Sequence, residues 1–232
     1  NYVLDPVPEI DFSNPLVTFA LDPKIIDVVN AYHDMYTRFF YLQLNVNYPV
    51  SPGTLPQNSQ RWHRDLDDLR MCKIFLYLND VDEGGGPFMF VPRSHYGGRW
   101  RNVYPQTLPF GLYPFDEDVA KTIPANEFRS YTGRIGTMIF CDVSGLHRGG
   151  YVTHTQRLML TVGYRSDASV WPVCVRRKES EGFAHQENNR EPAVQYALED
   201  IGQKRVSKRL FKLFKKIAII HKKNKQNHGM SM

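Results

Sequence analysis

Cysteine is scarce in this 232-residue chain, which has only Cys72, Cys141 and Cys174. None stands in a C-x-x-C pair, so neither a zinc ribbon nor a dithiol redox motif can be assembled from them, and three thiols cannot staple a secreted scaffold of this length. Cys72 and Cys141 fall in apolar, strand-like runs where a free thiol behaves as a small hydrophobe. The expected compartment is therefore reducing and cytoplasmic. No stretch approaches the roughly 18 uninterrupted apolar residues of a membrane span. The start, Asn1-Tyr2-Val3-Leu4-Asp5-Pro6, lacks both Met and the basic-then-apolar layout of a signal sequence, and it reads as a trimmed or fragmentary beginning.

Acidic residues are absent from Ile201 onward, whereas ten Lys and Arg occur there. The net charge of +5 therefore conceals two parts. Of 29 basic residues ten lie in the tail, so 19 remain against 24 acidic residues in the body, a net of −5. The chain divides into a body, residues 1–200, and a basic tail, residues 201–232. With 42% hydrophobic and 13% aromatic residues, the body can bury one substantial core.

Residues 1–20 read as irregular. Asp22-Pro23 predicts a helix start, with Ile25, Ile26, Val29, Ala31, Met35 and Phe39 following near helical spacing. Strands are predicted over residues 40–48, 71–78, 88–91, 136–142 and 157–164. Residues 94–135, rich in Pro and aromatics, read as an insertion with one helix near 116–121. Short strands between Gly/Pro turns predict a mainly β sandwich, barrel or jelly roll.

The chemistry concentrates in three places. Trp62-His63-Arg64-Asp65 is an H-x-D pair whose two side chains share one face of an extended segment. His147 follows a long gap later, and Arg157 opens an apolar strand ten residues after it. Two imidazoles and a carboxylate on one face of a metal leave three positions open, an arrangement associated with non-haem Fe(II) oxygenases. A nearby arginine suits an anionic co-substrate, since its planar fork meets both carboxylate oxygens. The H-x-D strand and a facing strand bearing His147 are expected to bring these residues together. His95 reads as structural and His154 as solvent-exposed.

Three stretches carry a family resemblance: Gln60-Arg61-Trp62-His63-Arg64-Asp65, then Lys73-Ile74-Phe75-Leu76-Tyr77-Leu78-Asn79-Asp80-Val81, then Gly86-Pro87-Phe88-Met89-Phe90-Val91-Pro92-Arg93-Ser94-His95. Together they resemble the phytanoyl-CoA dioxygenase family of Fe(II)- and 2-oxoglutarate-dependent oxygenases. The resemblance implies a double-stranded β-helix (cupin-like jelly roll) with supporting helices. It implies His63, Asp65 and His147 as metal ligands and catalytic residues, and Arg157 as partner of the distal carboxylate of 2-oxoglutarate. It also implies Phe75 as a co-substrate contact, with Tyr77 on the same strand face. Fe(II), 2-oxoglutarate and O2 would together hydroxylate an unactivated C–H of a small organic substrate, releasing succinate and CO2. An intact Asp65 argues for hydroxylation, because halogenating relatives replace that carboxylate. Two departures stand out: Arg93 occupies a turn position usually held by glycine, and Gly149 stands where some members carry a hydroxyl.

In the tail, Val206, Leu210, Leu213, Phe214, Ile217 and Ile220 recur at helical spacing among lysines, predicting a basic amphipathic helix. Packing on the body and peripheral membrane contact through residues 203–225 are both open. Nucleic-acid binding is disfavoured by the absence of interleaved aromatics. Arg61, Arg64, Arg70, Arg99, Arg101, Lys121 and Arg129 would allow an anionic substrate. The alternatives to a hydroxylase are a non-catalytic cupin-like metal-binding protein and a membrane-associated oxygenase of a lipid-linked substrate.

Overall fold

The structure is a computed structural model that describes residues 2–3, 9–107, 111–169, 173–177 and 187–199. The tail helix expected over residues 201–232 lies outside the described residues.

The body is built on one large antiparallel sheet. Its strands are β1 (Tyr2–Val3), β3 (Arg38–Asn47), β9 (Arg157–Arg165), β4 (Met71–Tyr77) and β7 (Met138–Asp142), in the order β1-β3-β9-β4-β7. A smaller sheet has the order β6-β5-β8, from β6 (Arg129–Tyr131), β5 (Phe88–Phe90) and β8 (His147–Gly149). A third pairing joins β2 (Glu9–Ile10) to β10 (Arg176–Arg177) in parallel. Non-consecutive neighbours in both main sheets give the wound jelly-roll topology that sequence patterning predicts.

Period-two alternation sorts each strand of the large sheet into two faces. Leu42, Ile74, Cys72, Leu160, Val162 and Tyr164 point outward, into a core closed by α1 (Pro15–Ala20), α2 (Pro23–His33) and α4 (Pro192–Leu198). The opposite residues point inward: Tyr41, Gln43, Asn45 and Asn47 on β3, Lys73 and Phe75 on β4, and Arg157, Met159 and Thr161 on β9, all lining one cavity. Complete burial of side chains such as Ile74, Leu160 and Val162 contributes roughly 1.5–3 kcal/mol each, before the entropy of ordering them. A separate apolar cluster, Trp62, Val91, Val119, Ile123 and Leu146, includes Val119 of α3 (Asp116–Ala120).

Helix α2 starts where expected, with the Asp22 carboxylate accepting from Lys24 N at 2.9 Å. The stretch read as irregular contains α1, capped by Asn14 Oδ1 accepting from Leu16 N at 2.9 Å. That cap followed by Pro15 is a start signal of the same kind as Asp22-Pro23, but the helix is only six residues long, too short for periodicity to show. Part of the presumed insertion belongs to the jelly roll itself, since β6 pairs with β5. Cys72 and Cys141 are buried free thiols on adjacent strands, as their strand context predicts.

Arg93 keeps a left-handed backbone, φ 62°, at the position where a glycine is common. A non-glycine residue there costs about 1–2 kcal/mol. The turn holds because Trp100 N donates to Arg93 O at 2.9 Å and Ser94 Oγ donates to Val91 O at 2.6 Å.

Candidate metal centre

His63 and His147 meet side by side through an antiparallel bridge at the edge of the small sheet, rather than across from facing strands as expected. His63 N donates to His147 O and His147 N donates to His63 O, both at 2.9 Å. The in-register pair sets the two rings side by side, with centroids 4.2 Å apart. Asp65, two residues beyond His63, shares its face and is anchored by its own N–H donating to Val143 O at 3.0 Å. Asp65 Oδ1 then lies 3.6 Å from His63 Nε2 and 3.9 Å from His147 Nε2. One ligand atom from each of the three residues falls within 4.8 Å of the others, close enough to share one metal ion.

Both rings are oriented by the same device. His63 Nδ1 is 2.9 Å from Arg61 O, and His147 Nδ1 is 2.9 Å from Gly145 O. A carbonyl can only accept, so each Nδ1 carries the proton and each Nε2 is left with a lone pair aimed at the shared point. Burial disfavours the imidazolium form, lowering the pKa of His63 and taking that of His147 down to about 3. Neutral imidazoles are the form a metal takes.

Burial would raise the pKa of Asp65, but Lys73 first, then His147 and His63, hold the carboxyl well below the usual range. Lys73 Nζ donates to Asp65 Oδ2 at 2.6 Å, so one carboxylate oxygen is occupied and the other faces the imidazoles. Burial likewise opposes the Lys73 charge, yet Asp65, Asp67 and Tyr41 keep the ammonium protonated. Sequence reasoning missed this residue. Its signal was a lone lysine on the inward face of the most apolar strand.

The cavity in front of the triad is about 200 Å³ in volume. Arg157 lies in its wall, 3% exposed. Its Nη2 donates to Asn47 Oδ1 at 3.2 Å, while Nε and Nη1 are buried without a hydrogen-bond partner. A buried guanidinium with two of its nitrogens unpartnered is costly unless an acceptor arrives. That unmet demand fits an anionic group entering the same cavity. Gly149 leaves the guanidinium room, since a Cβ there would come within 3.2 Å of Arg157 Nη2.

The other expected contacts divide. Phe75 lines the cavity and stacks on Phe88 at 4.3 Å between centroids. Tyr77 is not among the lining residues: its hydroxyl donates to Tyr131 O at 2.8 Å and accepts from Phe88 N at 2.9 Å. These two bonds stitch β4 to the small sheet. His95 lies outside the triad, against a second, mostly aromatic cavity, and exposed His154 pairs with Asp82 at 3.1 Å.

The basic residues expected to welcome an anionic substrate are largely engaged already. Arg99 pairs with Glu127, Lys121 with Asp118, Arg70 donates to Tyr32 O, and Arg129 donates to the carbonyls of Asn126 and Phe128. Arg61 lies over the Phe115 ring at 3.8 Å. Arg64 is surrounded by carbonyls.

Known proteins share both pattern and architecture. Ectoine dioxygenases of Bordetella parapertussis and Bordetella bronchiseptica are each 26% identical to this chain over 123 residues, 49% of this chain and 35% of theirs. The chain thus spans about a third of the length of these curated relatives. Among solved structures, EctD from S. alaskensis with 2-oxoglutarate and 5-hydroxyectoine is 18% identical at a TM-score of 0.51, covering 71% of this chain and 64% of that one. The carbocyclase SnoK from nogalamycin biosynthesis, described as non-heme and alpha-ketoglutarate dependent, is also 18% identical. Its TM-score is 0.50, with coverage of 75% and 66%. At such identities these structures establish the double-stranded β-helix fold alone. The sequence profile of the phytanoyl-CoA dioxygenase family matches residues 12–157. With well over half of its length so matched, the chain belongs to the phytanoyl-CoA dioxygenase family.

Proposed function

We propose that this chain is an Fe(II)- and 2-oxoglutarate-dependent dioxygenase that hydroxylates an unactivated C–H of a small organic molecule. One observation carries the reading: the three-ligand cluster and an under-partnered buried arginine open into the same cavity. Two imidazoles and one carboxylate suit Fe(II) while leaving coordination positions free. When bound there with O2, the metal would supply the oxidising power, 2-oxoglutarate being converted to succinate and CO2.

The chain's own residues do the rest. Arg157, steadied by Asn47, takes the far carboxylate of the co-substrate and sets its direction. Thr161, Asn45 and Gln43 add polar groups along the wall between Arg157 and the triad, and Phe75 and Phe88 keep one side dry. Lys73 holds one oxygen of Asp65. The buried reduced thiols Cys72 and Cys141 support a cytoplasmic location. Among the described residues, no helix is long and apolar enough to cross a membrane.

The test is succinate formation from 2-oxoglutarate with Fe(II) and O2, comparing the wild type with His63→Ala. Metal-dependent turnover in the wild type alone is expected. Metal binding without any turnover, across a panel of candidate substrates, would favour the non-catalytic cupin-like alternative.

A further inference from the structure

Arg64 stands between two triad residues, and in an extended segment its side chain must leave by the opposite face. There it is 5% exposed, and no carboxylate among the described residues lies within ion-pair distance of it. Five backbone carbonyls surround it instead. Nε donates to Tyr104 O at 2.8 Å, and Nη2 donates to Val103 O at 3.0 Å and Trp100 O at 3.1 Å. Nη1 donates to Ser144 O at 2.7 Å and to Ser94 O. A guanidinium has five N–H donors in a rigid plane, so every donor is used, one to each carbonyl. No donor is left for a substrate anion.

The five acceptors come from two places. Ser94, Trp100, Val103 and Tyr104 belong to the segment that follows β5, and Ser144 sits in the turn three residues before His147. The two places are themselves tied, because Leu146 N donates to Ser94 Oγ at 2.7 Å. One side chain therefore grips, from behind, both the segment bearing His63 and Asp65 and the approach to His147.

We propose that Arg64 is a positioning residue of the metal centre, which sets the spacing between the His63/Asp65 segment and the turn that delivers His147. The inference rests on the metal-site reading above. Lysine cannot replace the arginine, because an ammonium has three donors at one point and cannot reach carbonyls spread around a plane.

The experiment is a cobalt(II) titration, followed by visible absorbance, of the full chain and of Arg64→Lys, Arg64→Ala and His63→Ala. Melting temperatures are recorded in parallel. Arg64→Lys and Arg64→Ala are expected to bind cobalt about 10- to 100-fold more weakly, the range found when partners that orient ligands are removed. Millimolar guanidinium chloride, far below denaturing levels, should restore Arg64→Ala towards wild-type affinity by refilling the carbonyl cage. A merely structural residue would lower melting temperature without that rescue of metal affinity. Folded Arg64 variants with wild-type cobalt affinity would overturn the inference alone. So would variants that fail to fold even with guanidinium present, since Arg64 would then serve the fold as a whole. A wild-type chain that takes up no cobalt would overturn the metal site and this inference with it.

Discussion

Lys73 Nζ donates to Asp65 Oδ2 at 2.6 Å, linking the large sheet to the segment that carries two of the three triad residues. The pair is largely shielded from water, so each charge depends on the other. Breaking such a pair from one side leaves a bare buried charge, whereas removing both partners does not.

A double-mutant cycle tests this dependence. Lys73→Met and Asp65→Ala should each destabilise the metal-free protein by about 3 kcal/mol, and the double variant should recover most of the loss. Denaturant unfolding measures it. Simple addition of the two losses would show that the pair is not coupled.

Arg157 makes the most specific prediction about the co-substrate. Arg157→Met should raise the KM for 2-oxoglutarate by about 100-fold, the equivalent of a lost charge-assisted pair. Arg157→Lys should recover only part of this, because the two-point fork is gone. An unchanged KM in both variants would remove Arg157 from the co-substrate site.

Tyr77 separates stitching from binding. Tyr77→Phe leaves Phe88 N and Tyr131 O without their partner, and should destabilise the fold by about 1–3 kcal/mol. Its KM for 2-oxoglutarate should stay within a factor of two of the wild type, by analogy with a contact that adds less than a kcal/mol. A large KM change with intact stability would return Tyr77 to the co-substrate site.

Acid should weaken the metal-free protein before its carboxylates titrate. Burial depresses the pKa of His33, His63 and His147, the last to about 3. Their contribution is therefore present above the unfolded histidine pKa of about 6.5 and is lost as pH falls below it, because the unfolded chain takes up protons that the folded chain refuses. The slope approaches about 1.4 kcal/mol per pH unit for a histidine that stays neutral in the folded state throughout this range, as His147 does. Melting curves of metal-free protein between pH 7 and 5, values chosen around that reference pKa, would measure it. His33→Phe should make the curve less steep, and a flat wild-type curve would contradict the burial argument.

Much of the site was legible as spacing. H-x-D places two ligands on one face of any extended segment, and a polar arginine opening an apolar strand announces an interior role. His147 was recognisable as part of the set, but not as the backbone-bonded neighbour of His63. Lys73 carried a visible signal, a cation on an inward strand face, whose meaning depended on what stood opposite. Arg64 misled in the other direction: its charge invited a substrate anion, while the folded chain surrounds it with carbonyls.

Taken by itself, the sequence determined the class of fold, the strand faces and the candidate ligands, because alternation and residue chemistry are local properties of the chain. Only the tertiary structure decided which side chains meet: Asp65 with Lys73, Tyr77 with the small sheet, Arg64 with its five carbonyls. A buried polar group must find a partner wherever the fold supplies one. For these residues that partner lies on another strand or loop, brought alongside by sheet order and register, which residue spacing along the chain does not encode.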